Sequence, residues 1–241
     1  MKTLGIIGFG QMGRFIASKL KQDFFLFFFD TNNTIPEING ITKTTLEKTA
    51  SCDIVLICVP IRKLEETLHL IKKWVKPGAL ICDICSVKEK PAEWMMNILP
   101  KDVELIGLHP LFGPQSAALS MSGKKIVFCP LRTTKENEIK KFLEKKELQV
   151  IITNPKEHDV SMAKTAVLSQ FIGRALVEMD INPKEIDEPS FELLLQLKNM
   201  LKEDSEELFI DIQTKNEFAK ENREKLMKEL TKLQKRLGEI P

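Results

Sequence analysis

A chain of 241 residues is long enough for one large domain or two small ones, and 43% hydrophobic residues suffice for a real core. Charged residues make up 29% but balance to +2, which leaves no electrostatic footprint for nucleic acid or a membrane surface. The five cysteines show no paired metal-ligand spacing, so no metal site is expected, and free thiols in a reducing cytoplasm are the expected state.

Thr3 to Ile7 is a short apolar run, and Met1 to Gly8 reads as a strand and turn rather than a secretory leader. Gly8-Phe9-Gly10-Gln11-Met12-Gly13 follows at once, then Phe15, Ile16 and Leu20 at helical spacing. This is a glycine fingerprint with a strand before it and a helix after it. Gly8 suits a tight turn, Gly10 lets a pyrophosphate approach the backbone, and Gly13 lets helix and strand pack closely. The helix N-terminus offers free N–H groups to the phosphates. The next run, Phe24 to Phe29, is too short to cross a bilayer and ends in Asp30. A carboxylate there suits the ribose hydroxyls of NAD, and no arginine follows to take a 2′-phosphate.

The alternation continues. Asp53 to Val59 is a strand stopped by Pro60, and Lys63 to Trp74 is a helix. Ala79 to Cys82 is a strand, Lys88 to Ile98 a helix, and Val103 to Leu108 and Lys124 to Cys129 are strands. Glu136 to Lys146 is a helix and Leu148 to Ile152 a last strand. Such alternation implies an α/β, doubly wound parallel sheet over residues 1–153. The expected cofactor set is Gly8, Phe9, Gly10, Gln11, Met12, Gly13 and Asp30, joined by Val59, Pro60 and Asp83 at the ends of later strands. Cys82 and Cys85 have redox-motif spacing but leave a strand instead of opening a helix, so they read as core.

Residues 154–241 show no strand pattern and read as an all-helical domain. Val160 to Met179 is an apolar helix, and Phe191 to Leu201 and Leu208 to Phe218 are two more. Leu226, Leu230, Leu233 and Leu237 form a 4-3-4 stripe on the last. A helical domain of this size buries little alone. The expectation is a homodimer built mainly from residues after Pro155.

Gly107-Leu108-His109-Pro110-Leu111-Phe112-Gly113-Pro114 is the most informative string. Its histidine follows an apolar run, at the carboxyl end of a parallel strand, where open α/β sheets hold ligands. On this string alone, a catalytic histidine and one that caps the strand are equally good readings.

Together with the fingerprint, Asp83-Ile84-Cys85-Ser86-Val87-Lys88, Glu157-His158-Asp159 and the stretch from Asp204 through Asp211-Ile212, this string resembles the prephenate dehydrogenase family, which includes arogenate dehydrogenases. The resemblance covers almost the whole chain. It implies NAD-dependent oxidative decarboxylation of prephenate to 4-hydroxyphenylpyruvate in tyrosine synthesis. Arogenate is the alternative substrate, and a non-catalytic nucleotide-binding dimer is the alternative of another class. By the same resemblance His109 takes the proton of the substrate C4 hydroxyl, and Ser86 orients that histidine and the hydroxyl. Ser86 also reads as an N-cap before Val87-Lys88-Glu89, and one residue can do both. Two positions depart from the family pattern: Gln170 replaces a substrate-binding histidine, and Asn199, flanked by Lys198 and Lys202, replaces an arginine. Gln170, Lys198 and Asn199 are therefore the expected substrate contacts in the helical half. His158 reads as a structural residue that caps or pairs at a helix start.

Overall fold

The structure, a computed structural model, describes residues 1–32, 34–35, 38–202 and 204–238. It divides into two compact units, Met1–His158 and Asp159–Pro241.

The first unit is one eight-stranded sheet. Its strands are β1 (Thr3–Ile7), β2 (Phe25–Phe29), β3 (Ile41–Lys43), β4 (Ile54–Ile57), β5 (Leu80–Asp83), β6 (Glu104–Pro110), β7 (Lys125–Arg132) and β8 (Gln149–Ile152). They lie in the order β3-β2-β1-β4-β5-β6-β7-β8. The helices are α1 (Gln11–Leu20), α2 (Leu46–Ala50), α3 (Ile61–Ile71), α4 (Glu89–Ile98) and α5 (Glu136–Lys145). The order reverses at β1, as in a doubly wound sheet. Pairing is parallel from β3 across to β6, antiparallel between β6 and β7, and parallel again between β7 and β8. That reversal departs from the all-parallel expectation. Its cause is local: residues 111–124 contain no helix to carry the chain back across the sheet.

Strand alternation divides the core between two faces. Leu4 and Ile6 of β1 join Ala17 of α1 and Leu143 of α5 on one face. Ile7 joins Ala50 of α2, Leu64 and Leu68 of α3 and Met95 of α4 on the other. Right-handed crossovers account for this. The chain moves one way from β1 to β2 and the opposite way from β4 to β6, so α1 lies opposite α3 and α4. β7 points the other way, which brings α5 back to the side of α1. A cavity of about 780 Å³ lies on that side, lined by Phe15, Leu56, Leu108, Pro110 and Phe142 among others.

Two elements were not expected. β3 is three residues long, and α2 is a five-residue helix capped by the Thr45 hydroxyl, which accepts from Lys48 N–H at 3.2 Å. A methyl group on Gly5 would stand 2.0 Å from the Thr49 carbonyl oxygen. Glycine in β1 is what admits the end of α2.

The division between units falls within α6 (Pro155–Lys164), after His158. The second unit holds α7 (Ala166–Glu178), α8 (Pro189–Leu201), α9 (Glu206–Lys215) and α10 (Ala219–Gly238). The single helix expected from Val160 to Met179 is two, with a break at Thr165 (φ −120°, ψ −84°) that the apolar periodicity does not mark. Gly173 lets α8 approach α7: a methyl group there would lie 2.2 Å from Leu201 Cδ1. The buried Gln213 side chain donates to the Val167 carbonyl at 2.9 Å and accepts from the Arg223 guanidinium at 3.0 Å, tying α7, α9 and α10 together. The apolar core of this unit is small, formed by Val167, Ile212 and Ala219. No helix among the described residues is long and apolar enough to cross a membrane.

Candidate active site

Sheet register places the chemistry-bearing segments side by side. Ile7 pairs with Ile57, Ile57 with Asp83, and Asp83 with Gly107. The glycine loop follows the first of these, Val59-Pro60 the second, Ser86 the third and His109 the fourth. All leave the carboxyl edge of adjacent parallel strands spaced at about 4.8 Å, the edge at which open α/β sheets bind ligands.

The glycine loop is built for close approach. Gly8 has φ +90°, a conformation that favours glycine, and a methyl group on it would sit 2.8 Å from the Cys58 carbonyl. On Gly13 a methyl group would stand 2.3 Å from the Gly8 carbonyl oxygen, so α1 leaves the strand as tightly as the chain allows. Gly10 differs: nothing lies within 4 Å of the same position. The chain itself does not require a glycine at that point, and the open space is what a phosphate group would occupy. Gly10 is the N-cap of α1, no acidic residue stands in the first turn, and the first helical bond runs from Arg14 N–H to Gly10. The amides of Gln11, Met12 and Gly13 precede that bond and face an anion site with the helix dipole behind them. Asp30 closes the loop from β2. One carboxylate oxygen accepts from Phe9 N–H at 2.6 Å and the other from Asn32 N–H at 2.7 Å. These residues fit a dinucleotide.

His109 lies within β6 rather than just beyond it. Leu108 and Pro110 line the cavity on the α1 side, so His109 projects to the opposite face. On that face lies a buried ion pair, Lys88 with Asp83, whose side chains are each about 1% exposed. The same Asp83 oxygen also accepts from Cys85 N–H at 2.8 Å. Gly107 makes room for the pair: a methyl group there would meet Lys88 Cδ at 3.0 Å and Asp83 Oδ1 at 3.3 Å. Asp83, expected as a cofactor contact, thus has its carboxylate turned inward onto Lys88. Ser86 does not cap α4. Lys88 stands at the N-cap and no side chain bonds there, so the N-cap reading of Ser86 is corrected.

The reading of His158 as a cap or pairing residue also changes. Its Nε2 lies 2.8 Å from His109 Nδ1, with the rings edge to face at 67°. His109 is held well below the usual histidine range, first by burial, then by His158 and the Lys88 charge. It is therefore neutral at neutral pH and able to accept a proton. Cys82 and Cys85 are buried, and burial pushes both thiols up, away from redox reactivity. Among the described residues no cluster of His, Cys, Asp and Glu is placed to share a metal ion.

In the second unit, Gln170 Nε2 donates to Asp204 Oδ2 at 3.4 Å. Lys198 turns its ammonium onto the Ile181 carbonyl, with Asp180 and Asn182 each at 3.3 Å, so its charge closes the turn after α7. Asn199 is exposed on α8. Arg174, one helical turn after Gln170, donates to the Asp204 carbonyl at 3.2 Å and lies over the Phe209 ring.

Residues 38–169 match the model for the prephenate dehydrogenase nucleotide-binding domain, more than half of the chain. The chain belongs to the prephenate dehydrogenase family. Residues 175–240 match a second model, the TYRAAT1-like C-terminal domain. A probable arogenate/prephenate dehydrogenase of Methanocaldococcus jannaschii is 29% identical over 191 residues, covering 75% of this chain and 42% of the relative. The chloroplastic arogenate dehydrogenase 2 of Arabidopsis thaliana is 26% identical over 237 residues, covering 92% and 66%. This family member thus spans less than two thirds of the length of either relative. Its fold matches prephenate dehydrogenase from A. aeolicus, solved in complex with hydroxyphenyl propionate and NAD+, with a TM-score of 0.76 at 22% identity over 98% of this chain and 90% of that one.

For this prephenate dehydrogenase family member, sequence reasoning assigned no role to Lys88 or Arg174 and a structural one to His158. Lys88 had no signal of its own, since Glu89 and Lys90 follow it at once as they would on an exposed helix start. His158 had one in the Asn154-Pro155 start: Asn154 Oδ1 accepts from Glu157 N–H at 2.9 Å, which fixes where α6 begins.

Proposed function

We propose that this chain oxidises and decarboxylates prephenate with NAD, giving 4-hydroxyphenylpyruvate, in the cytoplasm. The observation that carries the reading is His109: a neutral histidine at the carboxyl edge of the sheet, on the strand after Ser86 and beside a buried cation. Gly8 to Gly13 and Asp30 hold the dinucleotide, whose nicotinamide supplies the hydride acceptor when bound. His109 takes the proton of the C4 hydroxyl as hydride leaves that carbon, and Ser86 orients the hydroxyl. Loss of the ring carboxylate as carbon dioxide leaves an aromatic phenol.

Arogenate differs from prephenate by an amino group in place of a keto group on the side chain, and the Arabidopsis relative bears an arogenate dehydrogenase name. One assay separates them: NADH absorbance is followed with each substrate and with NAD or NADP. The expected result is turnover with prephenate and NAD. Asp30→Ala is expected to erode the preference for NAD, since the carboxylate both bonds ribose hydroxyls and repels a 2′-phosphate. Equal kcat/KM for the two cofactors in the wild type removes Asp30 from that role.

The chain is also expected to form a homodimer through its helical half. Leu230, Leu233 and Leu237 are 45–62% exposed, and so are Leu193 and Met200 on α8, at 64% and 70%. Exposed apolar rows of this kind are what a second copy covers. Light scattering at micromolar concentration is expected to give twice the chain mass, and a monomer there refutes the assembly.

A further inference from the structure

At 2.8 Å, one of His109 Nδ1 and His158 Nε2 carries a hydrogen and the other a lone pair. If His158 donates, neutral His109 keeps its hydrogen on Nε2 and has no lone pair left for substrate. If His109 donates, its Nε2 is free to act as a base. The geometry points to His158 as a positioning residue: its Nε2 accepts the Nδ1–H of His109 and holds His109 in the tautomer whose Nε2 takes the substrate proton. This inference rests on the proposed role of His109.

Two further observations favour it. First, the surroundings of His109 oppose a positive charge on it. The charged and titratable groups that face it are Lys88, His158 and, through Lys88, Asp83. In the reaction the substrate O–H bond breaks, its electron pair stays on oxygen and forms the carbonyl as hydride leaves, and an Nε2–H bond forms on His109. The Nδ1–H bond to His158 then becomes charge-assisted and strengthens as the imidazolium develops. Second, the position of His158 is built in. It is 2% exposed, its own N–H bonds the Asn154 carbonyl at 3.0 Å, and Asn154 caps the same turn.

With only three histidines in the chain, the ring nitrogens are readable by long-range proton–nitrogen NMR on labelled, substrate-free protein. The expected spectrum shows His109 protonated at Nδ1 and bare at Nε2, and His158 bare at Nε2. His158→Leu removes the acceptor and is expected to lower kcat at least about tenfold, a part of the roughly 10²–10⁴-fold that a general base contributes. NAD affinity should be unchanged. His158→Gln places an amide oxygen near the same point and is expected to recover most of the loss. His109 protonated at Nε2 in the wild type overturns the inference, as does a Leu variant with wild-type kcat or a Gln variant as impaired as the Leu variant. Should the Leu variant not fold, the wild-type spectrum and the Gln variant decide. If neither prephenate nor arogenate is turned over by the wild type, the functional reading fails, while the tautomer is still decided by the spectrum.

Discussion

His109→Asn is expected to lose about 10²–10⁴-fold in kcat, the usual contribution of a positioned general base, while NAD affinity stays within a few-fold. The separation of effects follows from the sheet. The dinucleotide loop leaves β1, whereas His109 belongs to β6, three strand spacings away. Asparagine keeps a polar group of similar size opposite His158, so folding should survive. Near-normal turnover would reduce His109 to a strand-end residue. The pH profile provides a second check. Because burial, His158 and Lys88 hold His109 well below 6.5, its neutral form persists to lower pH than that of a free histidine. The acid limb of kcat should therefore lie below the ordinary histidine range. The sign for stability agrees: below about 6.5 the unfolded chain binds a proton that folded His109 refuses. Its contribution is complete above 6.5 and drains away as pH falls toward the folded value.

Lys88→Met is expected to destabilise the first unit by about 3–5 kcal/mol, because it leaves the Asp83 carboxylate buried without its cation. Urea unfolding measures this. The partner experiment is Asp83→Leu combined with Lys88→Met, which removes both charges and should recover most of the loss. If the double variant is as unstable as the single one, the pair contributes through packing rather than charge. The single variant also carries a site readout. Losing the Lys88 cation takes away one of the effects that depress His109, so the acid limb of activity should move up toward neutral pH. An unmoved limb would mean that the Lys88 charge does not reach His109.

The alternating apolar runs and helical periodicities suffice to read most of the fold, because each buried strand and amphipathic helix carries its own period. The glycine loop is equally local. Gly8 and Gly13 act on neighbouring backbone, and the open space over Gly10 follows from its place before α1. Short elements escaped. β3 and α2 are stabilised by tertiary contact, α2 by the absence of a side chain on Gly5, and too few residues carry their pattern. The antiparallel return of β7 escaped as well, since a strand's direction depends on whether its connection holds a crossover helix.

The composition of the site separates the two levels most clearly. His109 was legible because a turn-forming string with one histidine follows a buried strand. Its electrostatic setting was not. His158 lies 49 positions away and meets His109 at 2.8 Å only once the chain after β8 is folded back to β6. Asp83 read as a cofactor contact and Lys88 had no role in the sequence, and only Gly107 on the adjacent strand gives them space to pair inside the protein. Local sequence determined which residues stand at the carboxyl edge. Tertiary packing decided which of them are buried together, and burial is what keeps this histidine uncharged.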